Sequence, residues 1–511
     1  MPPQLPRGHA AVRKPQSASS KWAEQADIAA IEGLIVHKDL KALCGRHALF
    51  VGQLDDGSYV GVTDDRHCLT VAGSRAGKGT TLIVPNLALY GGSILCIDPK
   101  GENARLTAAR RRAMGQDVYV LDPFGVSGEA EQASYNPFDD LDPSDPAFID
   151  DVTLLADSLI ADKNLKDPHW DEAARELIKG LILHLKLNSP FADKQNLYEM
   201  RRILSNPALL APQVIEMEES DALDGVLAAI GNSFELKPER ERDSVLSTAL
   251  RHTEFLDSPG MREVLAGGAP AKKTLSSLRA LRASHRTAGA KPVTIYLCLP
   301  ASRMPTHSRW LRAVINFALA MLEKDAQDQG PNEKPSGPAV LFLMDEFSSL
   351  GHMPSMAIAA GLMAGFGVRL WPFLQDLSQL QQHYEKSWES FVGNAGAQLF
   401  FGNTDLTTLR HVSERLGKTR IVSTGLSMPA GGLDSVSLSE TTTPLLATDE
   451  IQIHFARRKA ADEFLILLLP HSVPVALKKT PYFKDRNITA LLSGQALSSP
   501  PVKPKRGWFG S

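Results

Sequence analysis

An α/β fold with a mostly parallel central sheet, carrying an inserted all-helical domain, is predicted by three features of the sequence. Short apolar runs alternate with helical stretches on either side of a long central segment. Several of these runs end at a glycine, a turn or an acid, where ligands sit in open α/β sheets. From about 148 to 288 no convincing strand appears and helical periodicity takes over.

The candidate strands are Leu69–Ala72, Ile94–Ile97, Val118–Leu121, Val293–Leu297, Val340–Met344, Val368–Leu374, Gln398–Phe401 and Phe464–Leu469. Each is a run of strand length. In the central segment Ala173, Leu177, Leu181 and Leu185 recur every four residues, giving one apolar stripe on a helix. Pro207, Pro238, Pro259 and Gly267-Gly268 punctuate further helices. The Gly-, Ser- and Thr-rich stretch from Gly425 to Thr443 reads as a long surface loop.

Composition sets outer bounds. The 511 residues suffice for two or three domains with their own cores, and 43% hydrophobic with 22% charged residues is ordinary for a globular chain. A net charge of -3 gives no overall attraction to nucleic acid, yet it leaves room for one basic channel. The four cysteines lie far apart without a C-x-x-C pair, which argues against a zinc site and points to a reducing cytosol. The polar N-terminus does not read as a secretory signal, and no apolar run approaches the ~20 residues a membrane helix needs. Residues 1 to about 22 and the end from about Ser493 read as solvated tails, the latter carrying Trp508 and Phe509 as a candidate docking peptide.

The chemistry concentrates at three strand ends. After Leu69–Ala72 come Gly73, Ser74, Arg75, Ala76, Gly77, Lys78, Gly79 and Thr80, then a helical run. This is the strand–turn–helix context of a phosphate-binding loop: inward backbone N–H groups cradle phosphates, Lys78 neutralises their charge, and a hydroxyl ligates Mg²⁺. The match is irregular. Ala72 stands at the motif's first glycine and Gly79 at its Ser/Thr, with Thr80 one place late and Thr81 two. The strand Val340–Met344 ends in Asp345-Glu346, a Walker B pattern in which Asp345 would hold Mg²⁺ through water and Glu346 would act as general base. Asp98, ending Ile94–Ile97, competes for the metal role or assists in the same pocket, but it lacks an adjacent glutamate. Gln375, ending Val368–Leu374, is placed to sense the γ-phosphate or orient water. Arg369, Arg410 and Arg415 are candidate arginine fingers whose default reading is surface arginine. The basic segment from Lys272-Lys273 to Arg286, including Arg279 and Arg282, is a candidate DNA contact, with a solvated helix face as the plainer reading.

With these residues in hand, the chain resembles the TraG/TraD-type coupling proteins of type IV secretion and conjugation. The resemblance runs through Ala76 to Thr80 with Val84-Pro85-Asn86-Leu87, Ile97 to Glu102, Val120 to Phe124 and Tyr135 to Phe138. It continues through Trp170 to Leu185, Leu246 to Leu256, Met344 to Phe347, Gln375 to Leu380, Asn394 to Asn403, Pro444 to Leu446 and Asp449 to Ile451. It covers about residues 45 to 485, and that family also tolerates a glycine after the lysine. It implies a RecA-like motor binding ATP and Mg²⁺, a helical domain that reads substrates, and a homo-hexamer with nucleotide at subunit interfaces. Implied partners are relaxase-bound single-stranded DNA, secreted proteins or both, and inner-membrane components of the secretion system. Most such proteins carry N-terminal transmembrane helices. The polar N-terminus here implies a cytoplasmic chain held peripherally at the bacterial inner membrane by partners.

The expected organisation is a tail and lead-in over 1–40, a nucleotide-binding domain in two parts (41–147 and 289–490), the all-α insertion over 148–288, and a tail over 491–511. Two other functions share some of these features. One is a nucleotide-binding receptor or adaptor with little ATPase activity; the other is a RecA-like DNA translocase outside secretion.

Overall fold

The computed structural model describes residues 20–44, 47–160, 169–266, 273–282, 289–328, 337–427, 435–455 and 464–495. Most of both expected tails, including Trp508 and Phe509, lies outside the described residues, as do Lys272 and Arg286.

In chain order the strands are β1 (Leu34–His37), β2 (Leu49–Gln53), β3 (Tyr59–Val62), β4 (His67–Ala72), β5 (Ile94–Ile97), β6 (Asp117–Leu121), β7 (Ala133–Tyr135) and β8 (Lys273–Leu275). They continue with β9 (Val293–Leu297), β10 (Val340–Met344), β11 (Val368–Leu374), β12 (Ala395–Phe401), β13 (Lys418–Ser427), β14 (Ser435–Pro444), β15 (Phe464–Leu468) and β16 (Val475–Lys478). One 12-stranded sheet runs β1-β3-β2-β16-β15-β12-β4-β11-β10-β5-β9-β6. From β12 to β6 every neighbouring pair is parallel. From β12 back to β1 every pair is antiparallel.

The parallel strands are continuous apolar runs because both faces are covered. Along β4, β5 and β10 every residue is buried. Leu69, Val71, Leu95, Ile97 and Phe342 face one core, while Cys68, Ala72, Ile94, Cys96, Leu341 and Leu343 face the other. The long helix Met304–Gln327 packs on the first face, and the helices Val84–Leu89 and Glu102–Ala113 pack on the second.

Seven α-helices occupy the described residues between Phe148 and Leu265. In His169–Leu187, Leu177, Leu181 and Leu185 are fully buried, as their spacing predicts. Gly180 on the same helix admits its neighbours closely. A Cβ there would lie 2.6 Å from Met217 Cε and Ile230 Cγ2.

Four expectations are corrected. Lys273–Leu275, inside the stretch read as strandless, forms β8 and pairs parallel with β7. The expected loop at 425–443 is largely a β-hairpin in which Lys418–Ser427 pairs antiparallel with Ser435–Pro444. Its threonines, with Ile421, Val422, Val436 and Leu438, favour a pleated strand over a loop. Arg369 is not a surface arginine: it is 3% exposed and its Nε donates to Arg66 O at 3.0 Å. Arg282, placed on a solvated face, is fully buried.

Candidate nucleotide site

The strand order puts β4, β11, β10 and β5 side by side with their C-terminal ends together. Four segments distant in sequence therefore emerge at one edge: the Gly73–Lys78 turn, Gln375, Asp345-Glu346 and Asp98. They meet in a cleft of about 460 Å³, also lined by Lys100, Glu102, Asn103 and Phe483.

The turn is held by close backbone packing. Gly73 N donates to Phe401 O at 3.2 Å, and Ala76 N donates to Gly73 O at 3.0 Å. A Cβ on Gly73 would lie 1.9 Å from Gly402 O, so only glycine fits. Arg75 and Gly77 take positive φ values of 56° and 95°. Lys479 Nζ donates to Ala76 O at 3.2 Å from beneath the turn. Ser74 and Arg75 are exposed, whereas Ala76 is buried.

The helix after the turn starts as a π-helix over Gly79–Ile83 and continues as α over Val84–Leu89. Pro85 has no N–H to return to the preceding turn, and the widened turn accommodates that loss. Asn86 anchors the helix to β2: its Nδ2 donates to Phe50 O and Leu82 O, and its Oδ1 accepts from Phe50 N, each at 2.8 Å. Thr80 Oγ1 donates to Gly77 O at 3.1 Å. That bond uses the hydroxyl hydrogen, so the oxygen's lone pairs remain available to ligate a cation.

Lys78 Nζ lies 2.9 Å from Glu346 Oε1 and 3.4 Å from Asp345 Oδ1, across 268 residues of sequence to Glu346. Glu346 sits in the left-handed region at φ 53°, and its N–H donates to Asp345 Oδ1 at 3.0 Å. Gln375 Nε2 donates to Glu346 Oε2 at 3.3 Å. Gln375 is itself fixed at the backbone: its N–H donates to Gln379 Oε1 at 3.0 Å, and its carbonyl accepts from Asn403 Nδ2 at 3.3 Å. The Lys78, Asp345, Glu346 and Gln375 side chains thus form one connected polar cluster.

Burial shapes its protonation. It pushes the Asp345 carboxyl up, against the opposing pull of Lys78. Burial also acts to raise Glu346, but the Lys78 charge and the Lys78 and Gln375 hydrogen bonds outweigh it and hold Glu346 below its ordinary value. Burial lifts Asp98 to about 6, despite backbone donors at Ala104 and Asn103, and the nearby Asp345 adds to the rise.

Arg410 and Arg415 are exposed on the helix Leu406–Leu416 and do not line this cleft. Sequence reasoning missed several contributors. Lys100, Glu102 and Asn103 follow a strand-ending Asp98 and were findable from that signal. Lys479 and Phe483 reach the turn from some 400 residues away and carry no local pattern.

A strand–turn–helix cradle with an ammonium facing strand-end carboxylates, on this parallel sheet, defines a RecA-like P-loop NTPase fold with a helical domain. Solved structures share it. TrwBdeltaN70, a bacterial conjugative coupling protein, matches with TM-score 0.58 at 16% identity over 86% of this chain and 90% of that one. TrwB in complex with ADP and Mg²⁺ matches with TM-score 0.57 at 16% identity over 86% and 91%. Among sequences, Protein VirD4 of Rhizobium radiobacter is 25% identical over 89% of this chain and 62% of its own. Conjugal transfer protein TraG of Escherichia coli is 28% identical over 91% and 76%. The chain thus spans under two thirds of VirD4's length. The model of the family described as type IV secretory system conjugative DNA transfer matches residues 16–504. The chain belongs to that family of coupling proteins. Among the described residues no helix is long and apolar enough to cross a membrane.

Proposed function

We propose that this protein binds ATP with Mg²⁺ in the cleft and hydrolyses it to drive substrate into a type IV secretion or conjugation channel. The observation that carries the reading is the contact of Lys78 with both Asp345 and Glu346 at adjoining strand ends. The backbone N–H groups of Gly73 to Thr80 cradle the phosphates, and Lys78 offsets the charge on the β- and γ-oxygens. The hydroxyl of Thr80 and the carboxylate of Asp345 are hard oxygen donors, which suits Mg²⁺. When bound, the metal would supply positive charge that offsets the charge developing on the phosphates. Glu346, held ionised by its neighbours, accepts a proton from the attacking water as its oxygen bonds to the γ-phosphorus and the bond to the ADP oxygen breaks. Gln375 orients that water and the Glu346 carboxylate.

The substrates in this reading are relaxase-bound single-stranded DNA, secreted proteins or both. The protein would act as a homo-hexamer on the cytoplasmic side of the inner membrane, docked there through secretion-system components. Family membership and the nucleotide complexes of TrwB support the assignment.

The test is ATP turnover with and without single-stranded DNA. We expect Mg²⁺-dependent turnover stimulated by DNA and reduced about 10²–10⁴-fold in Glu346→Gln. Turnover surviving in both Lys78→Ala and Glu346→Gln would remove the proposed site. Wild-type binding without turnover would make the protein a nucleotide-gated receptor instead.

A further inference from the structure

A second cavity, of about 620 Å³, opens where the helical segment meets the start of the long helix Met304–Gln327. Trp170, Arg251 and Phe255 line it from the helical side, and Arg303, His307 and Arg309 line it from the sheet side. None of these residues belongs to the nucleotide cleft.

The charges here are unbalanced. Of the two lining carboxylates, Glu254 is exposed, and Asp171 is shared between His252 Nε2 at 2.9 Å and Arg251 Nη2 at 3.6 Å. Arg303 and Arg309 make no ion pair among the described residues. The Arg303 guanidinium lies 5.5 Å over the Phe124 ring. Arg309 is half-buried; burial and then the neighbouring Arg312 and Arg251 guanidiniums pull its pKa down, and Asp171 and Glu254 offset only part of that. Three guanidiniums share this concavity; Arg251 and Arg303 are exposed and Arg309 is half-buried, so the cost of gathering like charge falls mainly on Arg309, where an anion would offset it. His307, 8% exposed at the same helix N-terminus, leaves Nε2 without a hydrogen-bond partner. The aromatic members extend the recognition. Trp170 is half-buried at the wall, and Phe255 is buried within it. Guanidiniums beside an indole suit a phosphate joined to a planar base, and the volume is in the range of small-molecule sites.

The cavity is also tied to the nucleotide cleft. Met304, next to Arg303, accepts from Ser349 Oγ through its sulfur at 3.8 Å, and Ser349 N donates to Glu346 O at 2.8 Å.

We propose that this cavity is a second nucleotide-phosphate site, taking a free nucleotide or one unit of a single strand, with Arg303 and Arg309 on the phosphate and Trp170 against the base. Its lining shares no residue with the P-loop, so binding there does not need Lys78.

The experiment measures equilibrium binding of fluorescently labelled thymidine 5′-monophosphate and labelled (dT)₁₀ to the full chain. Lys78→Ala serves as the background, so that the P-loop does not contribute. At least one probe should bind this background and the wild type alike. Arg303→Gln should weaken that probe about tenfold, as loss of a charged hydrogen bond does. Adding Arg309→Lys should weaken it further. Trp170→Leu should weaken the base-bearing probe while leaving competition by inorganic phosphate unchanged. Binding of the monophosphate assigns a free nucleotide, and binding of (dT)₁₀ alone assigns a strand; either supports the proposal. Arg303 is exposed, so Arg303→Gln reports on binding rather than folding. Unchanged affinity in Arg303→Gln and in the double variant with Arg309→Lys would overturn the proposal. So would binding of inorganic phosphate with neither nucleotide probe binding.

Discussion

Replacing Lys78 by methionine keeps most of the side-chain volume and removes the ammonium that lies 2.9 Å from Glu346 and 3.4 Å from Asp345. The acids' side chains are 29% and 16% exposed, between the surface and fully buried regimes. Breaking a fully buried pair costs about 3–5 kcal/mol and an exposed one less than about 1 kcal/mol. About 2 kcal/mol is therefore expected at pH 7.5, or a fall of several degrees in the first thermal transition at about 2–4 °C per kcal/mol. The sign of the pH dependence is more diagnostic. Lys78 holds Glu346 below its ordinary pKa, so that interaction stabilises the fold above the unfolded carboxylate pKa and is lost as pH falls through the folded value. In Lys78→Met both acids lose their cation and their folded pKa values rise. Protonating them then relieves the variant, so its deficit against wild type should be largest near pH 7–8 and shrink towards pH 5. Paired melting curves across that range test this. A deficit that is constant with pH, or that grows on acidification, would refute the electrostatic account of the cluster.

Other expectations follow from the same geometry. Gly73→Ala forces a Cβ to within 1.9 Å of Gly402 O, a backbone atom that cannot swing away. It should cost about 1–3 kcal/mol in urea unfolding and weaken nucleotide affinity. Gln375→Ala removes the donor to Glu346 Oε2 without touching the turn. Steady-state kinetics should show a lower kcat by about tenfold or more with KM little changed. Asp98 has a folded pKa of about 6, above its unfolded value, so it costs stability as pH rises from about 4 through 6. Asp98→Asn should accordingly be more stable than wild type at pH 7.5, by at most about 3 kcal/mol, and lose that advantage near pH 4. Melting curves of the pair at the two pH values measure the difference.

Much of the sheet was legible because a parallel strand covered on both faces must be apolar throughout. Ile94–Ile97, Val293–Leu297 and Val340–Met344 could be read to the residue on that ground. The antiparallel edge was harder. β1 to β3 are short, and Gly52 and Gly61 interrupt them. The paired strands Lys418–Ser427 and Ser435–Pro444 were partly misread as loop because serine, threonine and glycine are frequent in them, although their threonines prefer strands. At the site, Lys78, Asp345, Glu346 and Gln375 announce themselves by following apolar runs. What sequence could not show is the support behind them. Gly402 presses on Gly73, Lys479 holds Ala76 O, and Asn86 ties the helix to Phe50, all through contacts that only the fold creates. Arg369 and Arg282 show the converse error. Arginine is surface by default, and burial among distant elements leaves no local trace.

Calorimetric binding of a non-hydrolysable ATP analogue to wild type, Lys78→Ala and Asp345→Asn, with and without Mg²⁺, probes the ammonium and the acid together. We expect tight binding that requires Mg²⁺ in wild type, a large loss of affinity in Lys78→Ala, and loss of the Mg²⁺ dependence in Asp345→Asn. Equal affinity in all three proteins, indifferent to the metal, would contradict the claim that these two distant segments grip one triphosphate.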